Sequence, residues 1–438
     1  MRRAGTDERP ETARMATLLP PVSEVTRPRR ALRVAMVAHS AYERDNRVMR
    51  VARALAERGD RVVVLALRTH PGLPVEEVMD GVCVQRIQDR FQKEADSPLA
   101  ALRPLLRFTL AAARRLHALA RAPHGDGPFD LVHVHNVPDF LAFSALPARW
   151  SGARVILDLH DLVPEFYASR FATGESSPVV AALQACERLS AAVADHVIVA
   201  NDLWRERVVR RSARQEACSV MLNHVDERVF RPRPRRRAFG EGGPLVLFPG
   251  GLQAHQGLDV AIRAFVHLRA QRPDARLHLV GDGSEKPALQ ALVESLGLQR
   301  AVRFFPPQPL AAIAERMAEA DLGIVPKLAN GFGNEAYSTK ILEFMAVGVP
   351  VVVSRTRIDT HYFDPGEVRF FESGDDAALA RAMAEVLDNA SLREQMVEAG
   401  LARAARERWG AHRQRYLGLV DALVATGHAP VGEPAGAC

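Results

Sequence analysis

Two glutamates eight residues apart carry the most specific chemical signal in this chain. They lie in Gly333-Asn334-Glu335-Ala336-Tyr337-Ser338-Thr339-Lys340-Ile341-Leu342-Glu343, which runs on into Phe344-Met345-Ala346-Val347-Gly348-Val349-Pro350. Carboxylates accept hydrogen bonds from hydroxyl groups. Between the pair, Ser338 or Thr339 suits the cap of a helix that Gly348 would close. Free N–H groups at such a helix start suit a phosphate. Two short apolar runs flank the stretch, DLGIVPK (321–327) and VPVVVS (349–354), each β-branched enough for a buried parallel strand. The helix therefore opens at the carboxyl end of a strand, where open α/β sheets bind ligands. A phosphate beside a polyhydroxyl group describes a nucleotide-sugar.

The elements that must position these residues form two alternating series. The first has strands at RVAMVAHS (33–40), RVVVLALR (61–68), VCVQRI (82–87), DLVHVHN (130–136), RVILDLHD (154–161), HVIVAN (196–201) and SVMLNHV (219–225), with a helix at about 46–58 ending at Gly59. The second has PLVLFPGG (244–251), RLHLVGDG (276–283), VRFFPP (302–307), the two runs above and VRFFESG (368–374). Helical patterns between strands predict βαβ units and parallel sheets. RPRPRRR (231–237) breaks the periodicity and reads as a solvated linker. The expected division is a disordered tail at 1–30, a first α/β domain at 31–230, a linker at 231–242 and a second domain at 243–408. A helix at 409–425 is long enough to cross back over the first domain, before a tail at 426–438. Two such domains leave a cleft between facing strand ends. Met15 is a second candidate start of translation.

Composition narrows the partners. At 438 residues and 47% hydrophobic content the chain exceeds one ordinary core, which favours two domains. The net charge is +6, but aromatic residues make up only 6% and do not interleave with the basic ones, which disfavours nucleic acid. A polyanionic ligand or an anionic membrane surface fits better. Cys83, Cys186, Cys218 and Cys438 form no CxxC pair, as in a reduced cytosolic protein without structural zinc. No run is long and apolar enough to span a membrane, and the N-terminus lacks a signal-peptide core, so the expected location is cytoplasmic. Residues 97–125 hold Arg103, Arg107, Arg114, Arg115 and Arg121 beside Leu99, Leu102, Leu106, Leu110 and Leu116, with no acidic residue. This basic amphipathic pattern predicts peripheral contact with the inner face of the plasma membrane, the continuous helix starting after Pro104.

Taken in order, the motifs resemble the family 4 retaining glycosyltransferases with the GT-B fold, over about residues 31–425. Glu335 and Glu343 reproduce the family's E-x7-E spacing, followed by its apolar helix and Gly-x-Pro-Val-Val turn. FPGGLQAHQGLDVAIRAF (248–265), HLVGDGSE (278–285) and NHVDERVF (223–230) are similar to further family segments. The resemblance implies two Rossmann-like parallel-sheet domains facing a cleft. It also implies sugar transfer from a nucleotide-sugar to a hydroxyl acceptor, a glycan or a lipid-linked saccharide, with retention, no metal and no cofactor. Carried over, Glu335 bonds donor-sugar hydroxyls and Glu343 the nucleotide ribose. Gly250, Gly251, Gly281, Ser338 and Thr339 fall on the donor side, and His160 falls beside the transferred sugar.

His160 ends the strand RVILDLHD, and a donor there helps as the glycosidic bond breaks. Asp161 and Glu165 are alternatives for polar contacts in that loop. His133 and His135 share one strand face and could ligate a metal, but no third ligand stands at a convincing spacing, so a polar strand end is the preferred reading. No G-x-S-x-G elbow is present, and Gly281-Asp282-Gly283 is only a fragment of a dinucleotide fingerprint. Two positions depart from the family. Gly251 and Gln256 stand where it places an Arg and a Lys on the donor diphosphate, and the usually glycine-rich first loop reads HSAYERDNRV (39–48). Each lost charge-assisted contact is worth about 1.5–3 kcal/mol. Lys340, Arg355, Arg44 and Arg47 are the candidate replacements. The departures also motivate an alternative, a catalytically silent GT-B partner or scaffold; a nucleotide-sugar epimerase of the same fold is a further, close alternative.

Overall fold

The computed structural model describes residues 30–90, 98–122, 127–171 and 177–427. The expected tails and Leu99's side chain thus lie wholly or largely outside the described residues. The chain forms two compact units, one of Met1–Leu222 with Arg413–Cys438, the other of Asn223–His412.

Among the described residues unit 1 has eight strands: β1 (Arg33–Ala38), β2 (Arg61–Arg68), β3 (Glu76–Met79), β4 (Val82–Asp89), β5 (Leu131–His135), β6 (Arg154–Leu159), β7 (His196–Val199) and β8 (Cys218–Val220). Their order is β3-β4-β2-β1-β5-β6-β7-β8, parallel throughout except the β3–β4 pair. β1 and β5 are neighbours although distant in sequence, so the strand order reverses between them. In open α/β sheets such a reversal is where ligands bind, outside the carboxyl ends of the strands. β3 has no counterpart among the expected strands, because Glu76-Glu77-Val78-Met79 is half polar and edge-exposed. Its readable signal is the turn that follows, Asp80-Gly81, with φ of 51° and 79° as a tight hairpin requires.

Unit 2 carries β9 (Leu245–Pro249), β10 (Arg276–Val280), β11 (Val302–Phe305), β12 (Leu322–Val325), β13 (Val351–Ser354) and β14 (Arg369–Phe371). The order is β11-β10-β9-β12-β13-β14, all parallel, so the reversal lies between β9 and β12. Phe248, Phe265, Leu277, Leu279, Ile324 and Met383 pack in its core.

Three expectations change. The arginine run is not simply solvated: Arg235 and Arg237 reach the fully buried Asp321 at 2.6 and 2.7 Å, stapling this segment to unit 2. The basic helix runs unbroken over Pro98–Arg121, with Pro104 inside it. The expected strand at 219–225 shortens to Cys218–Val220. The last helix, Trp409–Gly427, joins unit 1 from Arg413 onward, where Arg413 pairs with Glu57 and Arg58 with Asp421, each at 2.6 Å.

Candidate functional site

In unit 2 the chemistry collects at the β9/β12 reversal. Gly250 follows β9 with φ of 142°, and Gly281 follows β10 with φ of 149°. A Cβ on Gly281 would overlap the Gly250 carbonyl, and a Cβ on Gly250 would overlap the Lys340 side chain. Gly281 therefore needs glycine for the close backbone approach, and Gly250 for its positive φ. Across this gap Lys340 places Nζ 3.4 Å from Gln256 Oε1 and 5.1 Å from the centre of the Phe248 ring. Burial pulls the ammonium down to about 8, opposed by the charge of Glu343 on the same helix. Gly251 lies in the same turn, where a Cβ would overlap the Gln253 side chain.

Lys340 belongs to the first turn of the helix Thr339–Ala346, which ends before Gly348 at φ of 77°. Ser338 is the N-cap residue, yet its side chain makes no capping bond, contrary to the expected cap. Its Oγ is buried and has no hydrogen-bond partner among the described residues. A buried hydroxyl, a desolvated ammonium and the free N–H groups of a helix start thus share one turn. Glu343 is half-buried on the next turn.

Glu335 sits just after the tight turn Gly331–Asn334, only 7% exposed, and accepts from Arg357 Nη1 at 2.9 Å. The loop that carries it is braced by Lys327, a residue sequence reasoning missed. Lys327 is 2% exposed; its Nζ donates to the Ala336 carbonyl at 2.7 Å and pairs with buried Asp359 at 2.9 Å. Asn334 Oδ1 accepts the Arg357 backbone N–H at 2.8 Å, closing the brace from the other side. The available signal was a lysine ending an apolar strand, IVPK. Arg355 is exposed and engaged with Glu372 at 2.9 Å rather than gathered around Lys340.

In unit 1 the side chains gather at the carboxyl ends of β5 and β6. His133, His135 and Asp158 are fully or almost fully buried, and register pairs His135 with Asp158. Arg47 grips both Asp158 oxygens, Nε to Oδ2 at 2.8 Å and Nη2 to Oδ1 at 2.7 Å, and donates from Nη1 to the Met221 carbonyl at 2.7 Å. Burial would raise the Asp158 carboxyl, but Arg47 and the histidines outweigh it and hold it well below the usual range. His160 follows β6, partly exposed, with Nε2 3.0 Å from His135 Nδ1 and 3.4 Å from Asp158 Oδ2. Asn136 Oδ1 accepts the His160 backbone N–H at 2.7 Å, which fixes the loop. Asp161 is half-buried beside it, its carboxyl raised by burial. Glu165 is committed to Arg211 at 2.6 Å, in a cluster with buried Glu187. Arg44 is exposed on the loop before the helix Asn46–Arg58.

Comparison with known proteins settles the family. Residues 45–224 match the glycosyl transferase 4-like domain and residues 231–403 match the glycosyl transferases group 1 family. The D-inositol 3-phosphate glycosyltransferase of Acidothermus cellulolyticus is 30% identical over 414 residues, spanning 86% of this chain and 85% of that protein. The chain is a group 1, family 4-type glycosyltransferase. Its fold is shared with sucrose-phosphate synthase from Thermosynechococcus elongatus (TM-score 0.71, 19% identity, covering 90% of this chain and 100% of that one). It is shared too with Anabaena HepE solved with UDP-glucose (TM-score 0.66, 17% identity, covering 89% and 100%).

Among the described residues of this glycosyltransferase, two groups of donors lie close enough to suggest a metal. His133, His135 and Asp158 supply the third ligand that spacing alone did not reveal. However, the Arg47 guanidinium already covers both carboxylate oxygens, so the set fits a cation poorly. His224, Glu407 and His412 form the other group, in unit 2. There the two rings stack 3.8 Å apart at 12°, which directs their in-plane lone pairs side by side instead of at one point. Arg47, expected among the phosphate cations, is likewise used inside unit 1 as the partner of Asp158.

Proposed function

We propose that this glycosyltransferase moves a sugar from a nucleotide-sugar to a hydroxyl acceptor, a glycan or lipid-linked saccharide, with retention and without a metal ion. The observation that carries the reading is the cradle formed by Lys340, the unpartnered Ser338 hydroxyl and the helix start, laid against Gly250. Its chemistry suits a diphosphate, and the two glutamates beside it suit the ribose and the sugar. As the bond to the sugar breaks, the electron pair departs with the diphosphate. Lys340 and the helix N–H groups face that growing charge, a role otherwise open to a metal ion. Glu335 is assigned to the sugar hydroxyls, Glu343 to the ribose, and His160 to a hydrogen bond at the reacting sugar. The family membership and the UDP-glucose held by Anabaena HepE support this reading.

The same reading includes peripheral contact with an anionic membrane from the cytoplasmic side. On the helix Pro98–Arg121, Phe108, Ala112 and Leu116 are buried, whereas Leu102, Leu106 and Leu110 are 40%, 46% and 57% exposed. Exposed Arg103, Arg107 and Arg114 flank that leucine row. Apolar side chains with adjacent cations suit the headgroup boundary of anionic lipid. Among the described residues no helix is long and apolar enough to cross a membrane.

The test is phosphorus NMR of the protein with a panel of nucleotide-sugars, oligosaccharide and lipid-linked acceptors, and EDTA. Free nucleoside diphosphate should accumulate from at least one donor. An isomeric nucleotide-sugar without net release would mean an epimerase, and no change in any donor would contradict the reading.

A further inference from the structure

Buried His133 and His135, and Tyr416 on the last helix, have no part in the function described so far. All three belong to unit 1 and form one chain of contacts. The Tyr416 hydroxyl lies 3.0 Å from His133 Nδ1. His133 Nε2 faces Asp158 Oδ2 at 3.6 Å, and His135 Nδ1 faces the same oxygen at 3.4 Å. His135 Nδ1 also meets His160 Nε2 at 3.0 Å, the two rings edge to face.

Proton positions follow from the contacts. Burial depresses His135 to about 3, so the ring is neutral and carries one proton. Its Nε2 is buried without a partner among the described residues, and an N–H there would be an unpaired buried donor. A proton on Nδ1 instead meets two acceptors, His160 Nε2 and Asp158 Oδ2. His160 Nε2 then accepts, which leaves its own proton on Nδ1, a nitrogen with no hydrogen-bond partner among the described residues. Behind it, the Tyr416 hydroxyl and His133 Nδ1 share a hydrogen bond at 3.0 Å, and His133 Nε2, without a hydrogen-bond partner among the described residues, lies 3.6 Å from the carboxylate that Arg47 holds still.

We propose that His135 is a positioning residue that locks His160 in the tautomer protonated on Nδ1, and that Tyr416 orients the pair through His133. A ligand oxygen at His160 therefore meets a hydrogen-bond donor and not a base. That consequence rests on the proposed function, in which His160 faces the sugar or its leaving phosphate; the tautomer itself does not.

The experiment is a long-range proton–nitrogen correlation spectrum of protein labelled with 15N-histidine, at pH 8 and without substrate. His160 should appear with Nδ1 protonated and Nε2 bare. His135→Asn keeps an amide N–H where Nδ1 stood and should preserve that pattern. His135→Gln places its amide where Nε2 stood and should give mixed tautomers at His160. Tyr416→Phe removes a single oxygen, so the fold should persist, and should move His133 toward its other tautomer. Protonation of His160 on Nε2 in the unmutated protein overturns the proposal, as does an unchanged spectrum in both His135→Gln and Tyr416→Phe. Because the readout needs no turnover, failure here is separable from failure of the diphosphate-release test.

Discussion

Lys340 occupies a position that helix formation alone would not select. A cation in the first turn adds positive charge to the positive end of the helix dipole, and this one also loses hydration beside Phe248. Such a local conflict marks a functional site more readily than a structural one. The glutamates differ in the same way. Glu335 is nearly buried on a braced loop and paired with a half-exposed arginine, whereas Glu343 shares a helix with Lys340. Removing Glu335 should therefore act on the reacting sugar: Glu335→Ala lowers kcat by more than it weakens nucleoside diphosphate binding. Glu343→Ala should instead weaken that binding directly, read by calorimetry. Wild-type kinetics and affinity in both variants, at unchanged Tm, would remove the pair from the site. Local placement was legible where it lies within one motif, as for Lys340 and Glu343 on the helix that follows the Glu335 loop. Pairing was hidden where partners are far apart in sequence: Arg47 and Asp158 are 111 residues apart, so no local pattern foretells it.

At the scale of elements, the strands were legible because apolar, β-branched runs are confined to buried parallel sheet. β3 escaped because an edge strand with two glutamates resembles a loop. The loop between β12 and the helix Thr339–Ala346 depends on Lys327, whose role only the fold discloses. Lys327→Met leaves Asp359 buried and without its cation, a change that typically costs about 3–5 kcal/mol. Urea unfolding should show that loss, and a change below about 1 kcal/mol would mean the pair does not brace the loop. The helix Pro98–Arg121 makes a separate prediction. Replacing Leu102, Leu106 and Leu110 by serine should abolish co-sedimentation with anionic vesicles without lowering Tm, because these side chains are already exposed. Neutral vesicles should retain little of either protein at low salt. Equal binding to anionic and neutral vesicles, or no effect of the substitutions, would contradict membrane contact by this face.

For the whole molecule, the chain passes between its units twice, after Leu222 and after His412, so each unit is a body assembled around its own sheet. That two-unit plan was readable from the repeated strand–helix alternation. The arginine-rich segment misled because composition alone cannot show that Arg235 and Arg237 share a buried acid. The excess of positive charge was a weak guide as well, since many arginines are spent on internal carboxylates such as Asp158 and Asp321. The proposed donor site of unit 2 rests on Lys340, the cation laid against Gly250 and Gln256. Calorimetric titration of nucleoside diphosphates and the matching nucleosides into the wild type and Lys340→Ala tests that claim most directly. The wild type should bind at least one diphosphate, more weakly as the pH rises through about 8 and the ammonium loses its proton. Lys340→Ala should bind it about tenfold more weakly or worse, with nucleoside affinity unchanged. Equal losses for diphosphate and nucleoside, or no loss for either, would show that Lys340 does not hold the phosphate.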